Sequence, residues 1–425
     1  MNEILQSAFG NLLQNLSDAW TAFSYVWYIV LPVSLFVLFE YFWMYHIQTQ
    51  YWLSQSWVLL EIIPSKELEK SPKLMESIFA GLAGVESTAS LFDTHIDGKF
   101  PDSFSLEIVG EGGNAHFYIR TQKKYRNLVE AHFFAQYPDI EIVEVADYVD
   151  DVPKMVPNAN WDIWGTDFEL TKADPIPIRT YRKFEEDVTG KMIDPLANLV
   201  EVIGKLAPEQ RIWLQYVISP ESPTWAKNNA KPTIEKLKGN EVKESGVLET
   251  VVNDFKDVAH AIIPGITKPV EFASKDKKDQ QPLEFRLSPG EKDILKATEE
   301  NIGKMMYSVK MRYVYIGPRQ GFDKSFVSSF IGGIKQFNDE NLNGFKPDAE
   351  SKTAATYFFI KPRLRYKQRK IFRRYRNRSR DGKTFVLSIE ELATIFHMPD
   401  MQVMAPSISR VEAKRGGAPS NLPFE

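Results

Sequence analysis

Arg363, Arg365, Lys367, Arg369, Lys370, Arg373, Arg374, Arg376, Arg378 and Arg380 crowd into one short stretch, with Tyr366, Phe372 and Tyr375 set between them. Cations at this density suit phosphate contacts, and aromatic faces suit stacking on bases. Arginine outnumbers lysine, which favours two-pronged recognition of phosphate or carboxylate. Residues 361–383 hold twelve basic residues against one acid, Asp381, while the whole chain has a formal net charge of −4. The rest of the chain is therefore acidic. Three occupants fit this composition equally: a nucleic acid, a protein partner, or anionic headgroups beside a solvated linker.

Catalytic signatures are missing by comparison. A phosphate loop needs G-x-x-x-x-G-K-[ST]; Gly382, Lys383 and Thr384 supply its end, but Asn377 stands where the first glycine belongs. Gly190-Lys191, Gly204-Lys205 and Gly303-Lys304 fail at the following residue as well. Asp93, His95, Asp97 and Gly98 begin like a calcium loop, yet Phe104 holds the twelfth position, where a bidentate glutamate is required. The six histidines form no H-E-x-x-H pair, and no nucleophile elbow occurs. His116, His132 and His397 are expected to play structural roles. Zero cysteines exclude disulfides, thiolate metal sites and thiol catalysis. The expectation is a binding protein with no catalytic residue, metal or cofactor. A membrane-bound hydrolase with an unrecognised site is the enzyme-class alternative.

The elements that must hold these residues begin with residues 23–45, FSYVWYIVLPVSLFVLFEYFWMY, whose length and apolarity predict a membrane anchor. Glu40 is its only charge and lies near one end; Trp27, Tyr28, Tyr41, Phe42, Trp43 and Tyr45 resemble interfacial belts. No Lys or Arg precedes it and no small-residue cleavage site follows, so a cleaved signal peptide fits poorly. Lys66, Lys70 and Lys73 beyond the span suggest that the bulk of the chain is cytoplasmic, at an inner or cytoplasmic membrane. Residues 1–50 form this anchor region. Their first 20 residues place apolar side chains at helical spacing, as an interfacial segment or an extension of the anchor helix.

Beyond the anchor, residues 51–150 alternate strand and helix patterns in the order β-α-β-β-α-β: strands over 57–64, 104–109, 116–121 and 140–145, helices over 72–85 and 123–136. This predicts a ferredoxin-like α+β sandwich with its helices on one face of an antiparallel sheet. Residues 151–345 repeat the grammar more loosely, with strands over 161–170, 176–181, 211–218 and 308–316. A charged helical and flexible insertion interrupts them over 226–287. Residues 346–425 are the basic arm and a tail.

Several blocks carry a resemblance: SPKLMESIFAGL, FSLEIVGEGGNAHFYIRTQKKYRNLVEAHFFAQYPDIEIVEVADY, DPLANLVEVIGKLAPEQRIWLQYVI, VKMRYVYI, and TFVLSIEELATIFHMPD with ISRVEAKRGGAPSNLP. Together they resemble the membrane-proximal, non-motor half of bacterial conjugation and type IV secretion ATPases of the HerA/FtsK class. The likeness runs from about residue 57 to residue 423. It implies a segment that leads into a P-loop motor, with Glu390, Glu391, His397 and Pro399 as motor-docking residues. The chain ends where such a motor would start, so the resemblance implies an accessory module that docks a P-loop ATPase in trans. The expected partners are membrane lipid, that ATPase, further copies of the chain as a homo-oligomer, and DNA as a candidate. A stand-alone membrane-tethered nucleic-acid-binding protein is the other alternative.

Overall fold

The computed structural model describes residues 2–65, 71–85, 91–184, 194–238 and 287–400, leaving aside a minority of side chains. Most of the insertion expected over 226–287, and the tail beyond residue 400, lie outside the described residues. The chain divides into two compact units, Met1–Ser56 with Ser87–Pro101, and Trp57–Glu86 with Asp102–Glu425.

The first unit is built on α1 (Asn2–Ser54), a helix of 53 residues with Pro32 inside it. A continuous helix carries the amphipathic first 20 residues straight into the apolar run. Trp43 Nε1 donates to the His95 carbonyl at 2.9 Å, and His95 ends the short α3 (Leu91–His95). Gly98 adopts φ +67°, and a Cβ there would lie 2.5 Å from the Ile47 backbone, so the close approach requires glycine. Lys99 pairs with Asp93 and Asp97 at 2.7 and 3.1 Å, which occupies the carboxylates of the calcium-like sequence. Among the described residues no group of acids and histidines could hold a metal ion. Also among the described residues, no helix is long and apolar enough to cross a membrane. Within residues 23–45, the side chains of residues 23, 26, 29 and 30 lie outside the described ones. Leu31, Val33, Leu35, Phe36, Val37, Leu38, Phe39 and Phe42 are all exposed.

The second unit is α+β, and among the described residues nine strands form one large antiparallel sheet. They are β1 (Trp57–Ile63), β2 (Phe104–Glu111), β3 (Asn114–Gln122), β4 (Glu141–Val145), β5 (Trp161–Leu170), β6 (Arg211–Pro220), β7 (Met306–Pro318), β8 (Phe345–Pro347) and β9 (Phe385–Ser388). Their order is β4-β1-β3-β2-β6-β7-β5-β8, with β9 paired to β7. Expected strands over residues 51–150 and 151–345 thus share one sheet. Its two halves meet where β2 pairs with β6, from Phe104 opposite Ile218 to Glu111 opposite Arg211.

Strand alternation gives this sheet two different faces. Leu60, Phe104, Leu106, Leu214, Tyr216, Met311 and Tyr313 point to the main core. They pack beneath α2 (Lys73–Leu82), α4 (Arg126–Gln136) and α5 (Ala197–Gly204). Beyond the short α6 (Lys231–Leu237) and α7 (Pro289–Ile302), α8 (Ser325–Ile334) also contributes to that core. The opposite face carries a smaller cluster around Tyr148, Trp213 and Val314, covered by α9 (Ile360–Arg376). A further helix, α10 (Ile389–Ile395), joins the main core.

One expected strand is absent. Residues 176–181 run without ladder partners, because the amides of Ile178 and Tyr181 donate to the side chains of Glu391 and Thr394, each at 2.9 Å. Pro177 in addition has no N–H to give a ladder. The basic stretch also differs from an arm, since residues 360–376 are helical and one side of that helix is buried.

Candidate functional site

Four polar side chains stand opposite one another across four neighbouring strands. Glu107 on β2 faces Gln215 on β6, Gln215 faces Arg312 on β7, and Arg312 faces Asp167 on β5. They are joined side chain to side chain. Gln215 Nε2 donates to Glu107 Oε1 at 3.0 Å, Arg312 Nη1 to Gln215 Oε1 at 3.2 Å, and Arg312 Nε to Asp167 Oδ1 at 2.8 Å. All four are buried. A polar group in that position is tolerable only when hydrogen-bonded, and a charge only when paired.

The row is the seat on which α9 rests. Gln368, Ile371, Phe372 and Tyr375 recur at helical spacing and turn inward. The carbonyls of Arg374 and Ser379 accept from Arg312 at 3.0 and 3.1 Å, and that of Tyr375 from Gln215 at 3.2 Å. Tyr148 donates to Glu107 Oε2 at 2.6 Å, and its oxygen lies 2.7 Å from that of Tyr375. One residue past the Asn377 cap of this helix, Arg378 adopts φ +48°, a position that usually favours glycine. Its guanidinium grips Glu107 at 3.0 and 3.1 Å and Asp147 at 2.6 and 2.8 Å, which compensates the backbone strain.

Burial and pairing compete at these groups. Burial is the largest single influence on the Glu107 carboxyl and would raise it, but the charge and hydrogen bonds of Arg378, joined by the hydroxyls of Ser105 and Tyr148, together hold the group below its usual range. Lys310, 2.8 Å from Asp167, is lowered by burial despite the attraction of that carboxylate. Burial lowers Arg312 in the same way.

On its outer side the same helix is cationic. Arg363, Arg365, Arg369 and Arg373 are exposed, with Lys367, Lys370, Arg374 and Arg376 half-buried. A cleft of about 390 Å³ opens between α9 and residues 154–156. Lys154, Arg369, Lys370, Arg373 and Arg376 line it with Tyr366, Phe372 and Asn377, and no carboxylate is among its lining residues. Tyr366 is exposed and Lys370 lies 5.7 Å from its ring centre. Arg376 binds Asp150 at 2.7 Å through Nη2, while its buried Nη1 has no hydrogen-bond partner among the described residues. The volume and the cationic lining suit one small anionic moiety or a nucleotide unit.

The expected site residues therefore separate. Arg363, Arg365, Tyr366, Lys367, Arg369, Lys370, Arg373 and Arg376 reach the outer side, whereas Tyr375 and Arg378 are buried. Arg374 lies 3.8 Å from Asp167, and Arg380 donates to Ser308 Oγ at 3.0 Å.

The residues expected to dock a motor face inward. Ser388 and Glu391 form a capping box at the start of α10, and Glu391 also accepts from Ile178 N and from Asn301 at 3.1 Å. Burial raises the Glu391 carboxyl in spite of these donors. Glu390 pairs with Lys304 at 2.5 Å and Arg182 at 3.2 Å. His397 Nε2 lies 3.0 Å from Asp194, and Pro399 is buried too. Burial, the largest single influence, would raise Asp194, yet the neighbouring imidazole and the amides of Asp400 and Leu196 together hold it low. These side chains seat the last strand and helix of the sheet, so engagement of a partner through them requires the segment to leave that seat.

Sequence reasoning missed the polar row. Its signal was a charged or amide residue in the middle of an apolar strand: Glu107 in FSLEIVG, Gln215 in RIWLQYVI, Arg312 in VKMRYVYI.

A family model described as a domain of unknown function, DUF8128, matches residues 48–411. No curated protein matches the chain.

Proposed function

The chain belongs to the DUF8128 family of unknown function, and from that premise we propose a non-catalytic, membrane-anchored accessory component of a type IV secretion or conjugation-like translocation machine. In this reading α1 is the anchor, the sheet unit lies on the cytoplasmic side, and a separately encoded P-loop ATPase is the working partner. Support for the anchor comes from the apolar run of residues 23–45 and from the exposed apolar side chains between Leu31 and Phe42, the kind of surface that marks a membrane or protein contact. Two strand orders support reading the sheet as paired ferredoxin-like units. β4-β1-β3-β2 has the split β-α-β-β-α-β arrangement, and β8-β5-β7-β6 repeats it in the second half. The translocation context rests on the sequence resemblance alone.

The work assigned to the sheet unit is binding of a nucleic-acid strand along the outer side of α9. One observation carries it: the cleft of about 390 Å³ combines five cations and an exposed tyrosine with no lining acid. Phosphates can meet the cations while a base stacks on Tyr366. Affinity for a single-stranded oligonucleotide should then fall with salt at a log-log slope of about −0.7 per neutralised phosphate. Replacing Arg369, Lys370 and Arg373 together with Ala should flatten that slope, and Tyr366→Ala should weaken binding by about 1–3 kcal/mol. An unchanged slope in the triple variant sinks the nucleic-acid reading. Retained oligonucleotide affinity with loss of a co-purifying ATPase would instead make the cleft a protein-docking surface.

A further inference from the structure

At the start of α9 the chain holds four apolar side chains out in solvent. Tyr357, Phe358 and Phe359 are 84%, 83% and 79% exposed, and Ile360 follows at 50%. The segment is not a loose loop. Tyr357 and Phe359 adopt φ +67° and +54°, conformations that bulky side chains rarely take and that persist where surrounding structure imposes them. The Arg363 guanidinium donates to the carbonyls of Thr356 and Phe358 at 3.1 and 3.4 Å, and Arg363 N donates to Phe359 O at 3.1 Å. One arginine thus ties a strained aromatic knuckle to the first turn of the helix.

Strain that exposes apolar rings to water has no folding benefit, so its return must come from something that covers them. The flanking charge identifies the cover. Residues 351–380 contain no Asp or Glu, and Lys361 and Arg365 are exposed beside the knuckle. A nucleic acid would use the ring faces and the cations, but not Ile360. An anionic bilayer uses every part: aromatic and aliphatic side chains enter the headgroup boundary while Lys and Arg meet phosphates. The geometry points to residues 357–365 as a peripheral membrane-docking element for anionic phospholipid. This goes beyond the nucleic-acid role of the cleft and depends on the α1 anchor only for nearness to a bilayer.

The absence of cysteine makes the test direct. Phe358→Cys in the full chain introduces one thiol at an exposed position with ordinary φ, and an environment-sensitive fluorophore there reports burial. Glu201→Cys, on the exposed side of α5, is the control. With vesicles of phosphatidylcholine and phosphatidylglycerol, the label at 358 should shift to the blue and lose iodide quenching roughly tenfold, while the control stays accessible. Vesicles of phosphatidylcholine alone, or the Lys361→Ser/Arg365→Ser variant, should largely abolish that shielding. Equal iodide access at both positions in the anionic vesicles overturns the proposal. Shielding by a single-stranded oligonucleotide without lipid, and none by vesicles, overturns it in favour of nucleic acid. Flotation of the same chain with phosphatidylcholine vesicles reads the anchor separately, so its failure leaves the knuckle measurement intact.

Discussion

Arg378→Met is expected to lower the stability of the sheet unit by about 3–5 kcal/mol, the usual cost of breaking a buried pair from one side. Glu107 is fully buried, and Arg378 is its cationic hydrogen-bonding partner. Ser105, Tyr148 and Gln215 would still donate to the carboxylate, but neutral donors offset only part of its desolvation. By contrast Lys205→Ala, at an exposed pair with Glu201, should change stability by less than about 1 kcal/mol. Burial decides between them.

The same substitution should reverse a pH dependence. In the native protein Glu107 is held below its usual 4.5, so its contribution is fully present above that value and is lost as pH falls through the lowered folded value. Without Arg378, burial dominates and the folded value rises above 4.5. The deficit of the variant is then largest at neutral pH and shrinks as pH falls toward 4.5, because the buried carboxyl takes up a proton. Denaturant midpoints followed by circular dichroism at several pH values measure this. A deficit that is small, or the same at pH 5 as at pH 7, would contradict the assignment of Arg378 as the essential counter-charge.

What the sequence made legible was local. The sequence pattern placed β5 at its observed bounds and came within two residues at both ends of β7, because short runs rich in aromatic and β-branched residues mark buried strands whatever they pair with. Pairing itself was not legible. Nothing local says that Glu107, Gln215, Arg312 and Asp167 share a row, since their register is set by contacts between residues 97 to 145 positions apart. The inward side of α9 was readable in principle: Gln368, Ile371, Phe372 and Tyr375 follow helical spacing. High charge density hid that periodicity and suggested an arm. Ser388 and Glu391 also match the S-x-x-E capping signature, a structural explanation for a glutamate that the resemblance had made a docking residue.

Asp167→Asn should be at least as costly, about 3–5 kcal/mol, because it strands two buried cations at once. Lys310 and Arg312 both lie 2.8 Å from this carboxylate, with side chains 1% and 0% exposed, and Arg374 approaches to 3.8 Å. Arg312 would keep its neutral acceptors, Gln215 and the carbonyls of Arg374 and Ser379. Lys310 would keep the Lys383 carbonyl and is already lowered by burial. Loss of Asp167 lowers it further, so across the window below its usual 10.5 the unfolded chain binds more protons and stability rises with pH. Asp167→Asn/Lys310→Met should recover part of the loss at neutral pH, and a double variant no more stable than the single one would show that Lys310 is not the stranded charge. The functional consequence runs against simple electrostatics. Removing an acid makes the surface more positive and by charge alone should strengthen oligonucleotide binding. Yet Arg312 carries the carbonyls at the end of α9, and a guanidinium without its carboxylate holds them less firmly. Oligonucleotide affinity should therefore fall in Asp167→Asn and partly return in the double variant. A rise in affinity would mean that charge density alone, and not the seating of α9 on the polar row, governs the site.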